Sequence, residues 1–313
     1  MTLGVTESII DLIGHTPLLH LSRFAPPPLA DVYAKMEGLN PGGSVKDRAA
    51  LGMILDAEEK GILRPGATII EPTAGNTGIG LALVGIARGY RVVLCVPHGY
   101  AVEKMKLIEA LGGELEYVPH EAGMKGAIER ARELSANIED SFVPQQFENQ
   151  ANPCFHELTT AREIIDQMQG RIDAVVIGAG TSGTFIGVSR AVKKLNPSVL
   201  CVLVEPEGSI YGGGPPGPKK IEGIGQLDFI PEIYDASLAD EIMMVMDDEA
   251  CAALRTLARS EGVLGGWSSG AAAAAAYKIA QRLGTGKRVV TVFPDGAERY
   301  QSQGIFDGLK CDE

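Results

Sequence analysis

Eight short apolar runs separated by stretches of helical character constrain this chain more than any other feature. The runs cover 32–36, 68–71, 91–96, 114–118, 174–177, 199–204, 242–246 and 288–293. Several are continuously apolar, as in Val92-Val93-Leu94-Cys95-Val96 and Ala174-Val175-Val176-Ile177. That pattern marks strands covered on both faces. Between the runs the sequence predicts helices over about 46–60, 76–88, 101–111, 122–136, 153–169, 183–195, 247–262 and 269–283. Such alternation predicts an α/β protein of mostly parallel twisted sheets flanked by helices. A length of 313 residues suggests about two domains at ~150 residues each. The first block runs from about 40 to 149, and the second from about 150 to the C-terminus. The segment 205–231, which contains Gly212-Gly213-Gly214-Pro215-Pro216-Gly217-Pro218, fits no regular element. A loop that long in a compact domain is usually functional or mobile.

Charge and composition narrow the function. The formal net charge is −12, from 28 basic and 40 acidic side chains, which argues against a nucleic-acid binder. No apolar run approaches the ~20 residues of a bilayer span, and the longest, Ala271 to Ala276, reads as helix. The first residues lack the basic and apolar segments of a signal peptide. Five scattered cysteines, several in apolar runs, read as buried free thiols in a reducing compartment, hence the cytoplasm. His98, His120 and His156 stand alone, without metal-ligand spacing, and read as surface or loop histidines.

Three stretches carry chemistry. In Asn40-Pro41-Gly42-Gly43-Ser44-Val45-Lys46-Asp47-Arg48, Ser44 is an expected N-cap and Asp47 the fourth member of a capping box. Lys46 then falls in the first helical turn, where the positive end of the helix dipole opposes its charged form. A partly neutral lysine is a nucleophile for carbonyls, including the aldehyde of pyridoxal phosphate. Taken alone, an ordinary capped helix explains the stretch equally well. In Glu71-Pro72-Thr73-Ala74-Gly75-Asn76-Thr77-Gly78, a turn opens a helix and offers N–H groups, Thr73, Asn76 and Thr77 to a carboxylate or phosphate. In Gly178-Ala179-Gly180-Thr181-Ser182-Gly183-Thr184, a glycine loop between strand and helix forms a phosphate cradle. The same glycines spell G-x-G-x-x-G, and Glu205 ends the next strand, so a nicotinamide-dependent oxidoreductase is a rival. The hydroxyls of Thr181, Ser182 and Thr184 suit one terminal phosphate better than a pyrophosphate.

Together these stretches resemble the cysteine synthase/cystathionine β-synthase family, pyridoxal-phosphate enzymes of the tryptophan-synthase-β fold type. Ile13-Gly14-His15-Thr16-Pro17-Leu18, Gln145-Gln146-Phe147-Glu148-Asn149, Glu222-Gly223-Ile224-Gly225, Ser268-Ser269-Gly270 and Glu298-Arg299-Tyr300 extend the resemblance along the chain in order. It implies a two-domain fold with the active site in an interdomain cleft, a smaller domain of 40–149 and a larger one of 1–39 with 150–313. It implies that Lys46 forms the internal Schiff base with pyridoxal 5'-phosphate and later moves the substrate α-proton. Asn76 is implied to bond the cofactor's ring hydroxyl, and Gly180, Thr181, Ser182, Gly183 and Thr184 its phosphate. Thr73, Gly75, Thr77 and Gln146 are implied substrate contacts, with Gly223 in a loop that closes on substrate. Two positions depart from the pattern. The family often has serine where this chain has Ala74, and a serine at or next to Asp295 as partner of the cofactor nitrogen. Asp295 facing that nitrogen would favour the protonated ring.

The implied reaction is β-replacement on O-acetylserine or serine, with sulfide as acceptor to make L-cysteine, and the expectation taken is a cysteine synthase. Pro206-Glu207-Gly208-Ser209-Ile210 looks more like the cystathionine β-synthases, which use homocysteine, and that is the alternative. A non-catalytic relative fits poorly with the presence of Lys46, Asn76 and the phosphate loop. A homodimer and binding of the C-terminal tail of serine acetyltransferase are further implications of the resemblance.

Overall fold

A computed structural model of the chain describes residues 4–99 and 102–306. In chain order its strands are β1 (Leu18–His20), β2 (Asp31–Met36), β3 (Thr68–Pro72), β4 (Arg91–Pro97), β5 (Glu114–Val118), β6 (Ser141–Phe142), β7 (Ala174–Gly178), β8 (Leu200–Pro206), β9 (Glu241–Val245) and β10 (Arg288–Phe293). The α-helices are α1 (Lys46–Glu59), α2 (Asn76–Ala87), α3 (Val102–Ala110), α4 (Gly123–Asn137), α5 (Ala151–Leu158), α6 (Thr160–Gln167), α7 (Gly183–Leu195), α8 (Asp247–Glu261) and α9 (Trp267–Leu283). The expected β/α alternation is therefore present, with two additions and one split. β1 and β6 are too short, at 3 and 2 residues, to show a period. The helix expected over 153–169 is two helices, broken at Thr159 (φ −117°, ψ −74°).

The described chain divides into two compact units. The first contains residues up to Gly14 and Asn40–Phe155; the second contains His15–Leu39 and the residues from His156 onward.

The first unit is built on a parallel four-stranded sheet in the order β5-β4-β3-β6. Alternate side chains of each strand serve opposite faces. Ile69, Leu94 and Val96 pack with Ile54, Leu81 and Ile108 of α1, α2 and α3. Ile70, Val93 and Cys95 pack with Ala127 and Ala131 of α4. With both faces covered, the strands tolerate continuous apolar sequence. The chain runs outward from β3 through β4 to β5 and then returns to the other side of β3 as β6. β3 and β6 thus flank a topological switch point, where the loops beyond adjacent strand ends diverge and leave room for a ligand.

The second unit contains a six-stranded sheet in the order β1-β2-β10-β7-β8-β9, parallel except for β1 against β2. Ala174, Val176, Val202 and Val204 face α8 and α9, where Leu254, Leu257 and the alanines 271, 273, 275 and 276 pack closely. Val175, Ile177, Cys201, Leu203, Val290 and Val292 face α6 and α7 through Ile164, Phe185, Ile186 and Val192. Its switch point lies between β7 and β10, since β8 and β9 continue on the far side of β7. Between β8 and the short 3-10 turn at Ala236–Leu238 no helix or strand forms. This long segment is nonetheless anchored by buried Tyr211, Ile221 and Ile224.

Among the four described cysteines, all free, Cys95 and Cys201 are buried as expected, but Cys154 is exposed and Cys251 half-buried. Cys311 lies outside the described residues. No described helix is long and apolar enough to cross a membrane.

Candidate active site

In the first unit, α1 begins at Lys46 after a tight turn. The Gly43 N–H donates to the Asn40 carbonyl at 2.7 Å, and Gly43 has φ +77°, a conformation that favours glycine. The expected capping box does not form. Val45 has helical dihedrals (φ −55°, ψ −22°), but α1 itself opens at Lys46, one residue later than a Ser44 cap would give. Ser44 Oγ accepts the Lys46 N–H at 3.3 Å, while the Asp47 carboxylate turns back to accept the Gly42 N–H at 2.6 Å. A Cβ on Gly42 would lie 2.4 Å from Asp47 Oδ1, so the close approach needs glycine. Asp47, Arg48 and Ser44 are buried and Lys46 half-buried. Behind it, α2 crosses at Gly80, where a Cβ would stand 2.8 Å from the Lys46 carbonyl oxygen. Lys46 is thus set by a fixed turn on one side and a close helix crossing on the other.

The two other elements of this half lie at the β3/β6 switch point. After β3, Thr73 Oγ1 accepts the Gly75 N–H at 3.4 Å, and α2 starts at Asn76 with extended Gly75 as its cap residue and no side-chain cap. The N-terminal end of α2, with no side chain capping it, attracts an anion. Thr73 and Thr77 are buried. From beyond β6, Gln146 meets this turn, and the Thr77 hydroxyl donates to Gln146 Oε1 at 2.6 Å. That bond orients the amide so that its Nε2 protons point elsewhere. Thr73, Gly75, Asn76, Thr77 and Gln146 therefore sit around one switch point.

Glu71, on β3, was not singled out by the sequence. It is 1% exposed and accepts the N–H groups of Gln145 (3.0 Å) and Gln146 (3.1 Å). Burial pushes its carboxyl up to about 7, against the pull of those two N–H groups, with Glu148 adding a smaller upward push. An acid closing an otherwise apolar strand, Thr68-Ile69-Ile70-Glu71, was the available signal.

In the second unit, the glycine loop leaves β7 and enters α7. Ser182 is left-handed (φ +70°) immediately before the helix. The Gly183 N–H donates to Thr181 Oγ1 at 3.3 Å. Ser182 Oγ is buried with no hydrogen-bond partner. The Tyr211 phenol lies near it and donates its own proton to the Gly180 carbonyl at 2.7 Å. Thr184 Oγ1 lies 3.3 Å from His156 Nε2, whose other ring nitrogen is 2.8 Å from Thr160 Oγ1. His156, on α5, is buried, not the surface or loop histidine expected, because α6 and α7 each set a hydroxyl against its ring. An orphaned buried hydroxyl, an open helix N-terminus and a crowded glycine fit a phosphate group.

Gly223 lies against this loop. A Cβ on Gly180 would meet the Gly223 carbonyl oxygen at 2.4 Å. The Gly225 N–H donates to the Ala179 carbonyl at 2.7 Å, and Gln226 Nε2 to the Gly180 carbonyl at 2.7 Å. Lys219 Nζ donates to the Ile224 carbonyl at 2.6 Å, and burial pushes its ammonium below the usual lysine range. Tyr211, Lys219 and Gln226 were not foreseen; they lie in the irregular segment, where no periodicity identifies inward-facing residues.

Asp295 follows β10, across the β7/β10 switch point from the glycine loop. It is buried, and the Tyr300 hydroxyl donates to its Oδ2 at 2.5 Å. Burial, and Asp295 beside it, push the Tyr300 phenol well above its ordinary value. Glu205, the acid the nicotinamide reading requires, is 5% exposed and its Oε1 accepts the Gly212 N–H at 3.0 Å. It serves the fold of its own loop rather than a ribose.

Comparison with known proteins gives the family. The family described as "Pyridoxal-phosphate dependent enzyme" matches residues 9–295. A cysteine synthase of Staphylococcus aureus (strain Mu50 / ATCC 700699) is 47% identical over 302 residues, covering 96% of this chain and 97% of that protein. An O-acetylserine dependent cystathionine beta-synthase of Bacillus subtilis (strain 168) is 45% identical over 304 residues, covering 97% and 99%. The crystal structure of an O-acetylserine dependent cystathionine beta-synthase from Helicobacter pylori superposes with a TM-score of 0.92 at 42% identity, covering 97% of this chain and all of that one.

Proposed function

The chain belongs to the pyridoxal-phosphate dependent enzyme family, and we propose that within it the protein is a cysteine synthase, replacing the acetoxy group of O-acetylserine with sulfide. Pyridoxal phosphate supplies an electron sink that acidifies the substrate α-carbon. The chain's own residues do the rest. Lys46 would hold the cofactor by its aldehyde, and its Nζ would be the base that moves the substrate α-proton. Thr73, Gly75, Thr77 and Gln146 bind the α-carboxylate, and Asn76 bonds the ring hydroxyl. Gly180, Thr181, Ser182, Gly183 and Thr184 hold the phosphate on the first turn of α7. Gly223 belongs to the segment that shields the site from water, and Asp295 is the acid assigned to the pyridine nitrogen.

The observation that carries the reading is the Thr77–Gln146 pair at the β3/β6 switch point, which turns the Gln146 amide protons toward a carboxylate beside the N-terminus of α2. A second reading, homocysteine as acceptor, is favoured by the Bacillus relative's name and its 45% identity. We further propose a cytoplasmic homodimer, with the C-terminal tail of serine acetyltransferase as a candidate ligand.

Purified protein should be yellow, and Lys46→Ala should lose the visible band of the lysine-bound cofactor. Incubation with O-acetylserine and sulfide should yield cysteine by mass spectrometry; homocysteine in place of sulfide tests for cystathionine, and serine in place of O-acetylserine tests the donor. A colourless protein, or one that makes neither product, overturns the proposal.

A further inference from the structure

The β3/β6 switch point contains a buried acid that the reaction as described does not use. Glu71 sits on β3 beside the entry to the chain segment that carries Gln146. Its two carboxylate oxygens accept from consecutive backbone N–H groups, those of Gln145 and Gln146. Gln145 is left-handed (φ +54°), a conformation that is unfavourable for a non-glycine residue unless its surroundings hold it. The bend turns both N–H groups onto one carboxylate. The Gln146 carbonyl accepts from the buried Asn152 amide at 3.0 Å. Its side-chain oxygen accepts from Thr77 at 2.6 Å. The Gln146 backbone is thus held at both polar groups and its amide at one end. The Gln146 Nε2 bonds to none of the described residues, so its protons remain for a ligand.

We infer that Glu71 is a positioning residue for the α-carboxylate site: its buried carboxylate clamps the Gln145–Gln146 bend and thereby aims the Gln146 amide at the substrate. The inference rests on the proposed carboxylate role of Gln146 and adds the device that sets it.

Charge and position make opposite demands on one substitution, which makes the idea testable. Glu71→Gln keeps the volume and removes a negative charge near an anion site. If Glu71 acted through its charge alone, the variant would bind a carboxylate more tightly. The clamp predicts the reverse. A carboxamide offers one oxygen and opposes the second backbone N–H with its own protons, so the bend is released.

The probe is L-alanine, an amino acid with no leaving group, titrated by calorimetry at pH 8.5, where Glu71 is ionised, into the pyridoxal-phosphate-loaded enzyme. In Glu71→Gln its dissociation constant should rise about tenfold, the loss expected for one charge-assisted hydrogen bond, while the cofactor's visible band is unchanged. For O-acetylserine, KM should rise more than kcat falls. In a Gln146→Ala background the same substitution should add nothing, because it acts through Gln146. Unchanged or tighter L-alanine binding, or additive effects in the double variant, would overturn the inference. If Gln146→Ala itself binds L-alanine as the parent does, the carboxylate reading of Gln146 fails first, a separable outcome. Should Glu71→Gln not fold, hydrogen exchange on the unmodified holoenzyme still decides: the Gln145 and Gln146 amides must be protected without ligand, and rapid exchange at both refutes the clamp.

Discussion

The crossing of α1 and α2 at Gly80 makes Lys46 sensitive to a single methyl group placed behind it. In Gly80→Ala the new Cβ would stand 2.8 Å from the Lys46 carbonyl oxygen, 3.1 Å from its carbonyl carbon and 3.2 Å from Ala50 Cβ. Ordinary C···O contacts begin near ~3.3 Å, and two of the three opposing atoms are backbone, which cannot rotate aside. The helices must part by roughly half an ångström. Overpacking of this kind costs about 1–3 kcal/mol. Alanine recovers about 1 kcal/mol of helix propensity over glycine. The balance is a loss of about 1 kcal/mol, or a few degrees in melting temperature. The catalytic loss should be larger than that suggests. A misplacement of ~1 Å can cost about 100-fold, so half of it implies about tenfold in kcat. Gly78→Ala, two residues earlier on the same helix, is the control. Its Cβ meets the ends of the Leu94 and Ile108 side chains at 2.9 and 3.0 Å and Thr73 Cγ2 at 3.3 Å, with Lys46 not among its three nearest neighbours, so it can raise KM through Thr73 but should keep kcat. Thermal melting and steady-state kinetics on both variants decide the matter. A Gly80→Ala enzyme that melts higher than the parent and keeps its kcat would show that propensity wins and that the crossing does not set Lys46.

Two other perturbations have definite signs. Ser182→Ala removes a buried hydroxyl that has no partner, and both residues bear the same left-handed backbone, so the cofactor-free protein should gain up to about 1 kcal/mol. Cofactor affinity should fall about tenfold at the same time; a loss in both melting temperature and affinity contradicts the phosphate role. Glu71 gives a pH signature. Its folded pKa of about 7 lies above the ordinary 4.5, so the folded state holds the proton more tightly than the unfolded chain. The stability this contributes is present below about pH 4.5 and is lost as pH rises through 7, by roughly 3 kcal/mol at most. Glu148 and the Cys95 thiol on β4 are the other titratable groups that interact with it. The difference in urea-unfolding stability between parent and Glu71→Gln should therefore slope downward from pH 5 to 8. A flat difference refutes the burial argument.

The switch points explain which parts of this site could be read from sequence. Each catalytic stretch is local: Lys46 follows its own turn, the 73–77 turn follows its own strand, and Ser182 opens its own helix. Local motifs depend on backbone geometry over a few residues, and glycine, hydroxyl and cap preferences record that geometry directly. Even there the prediction failed at the level of a single bond, since Asp47 reaches Gly42 rather than closing a box with Ser44. The starting residue of a helix shifts easily by one position when the preceding residue is already helical. The β/α alternation was legible for a different reason. Strands buried on both faces must be apolar throughout, so Val92 to Val96 and Ala174 to Ile177 announce themselves.

What joins these parts was not legible, because it depends on pairing. Gln146 lies 69 residues beyond Thr77, and nothing in either segment's periodicity says that they meet. They meet because β6, only two residues long, pairs with β3 through Thr68↔Ser141 and Ile69↔Phe142. That pairing reverses the strand order and opens the switch point. The same register sets Glu71 beside the Gln145 bend, which turns an acid at the end of an apolar strand from an oddity into a clamp. In the second unit, β7 lies between β10 and β8, and this places Asp295 across the switch point from the glycine loop although 111 or more residues separate them. Candidate site residues carried by a motif can therefore be named one at a time from sequence. Residues that position them become visible only once strand order is known, and in a parallel sheet that order is set by crossovers too long for local sequence to encode.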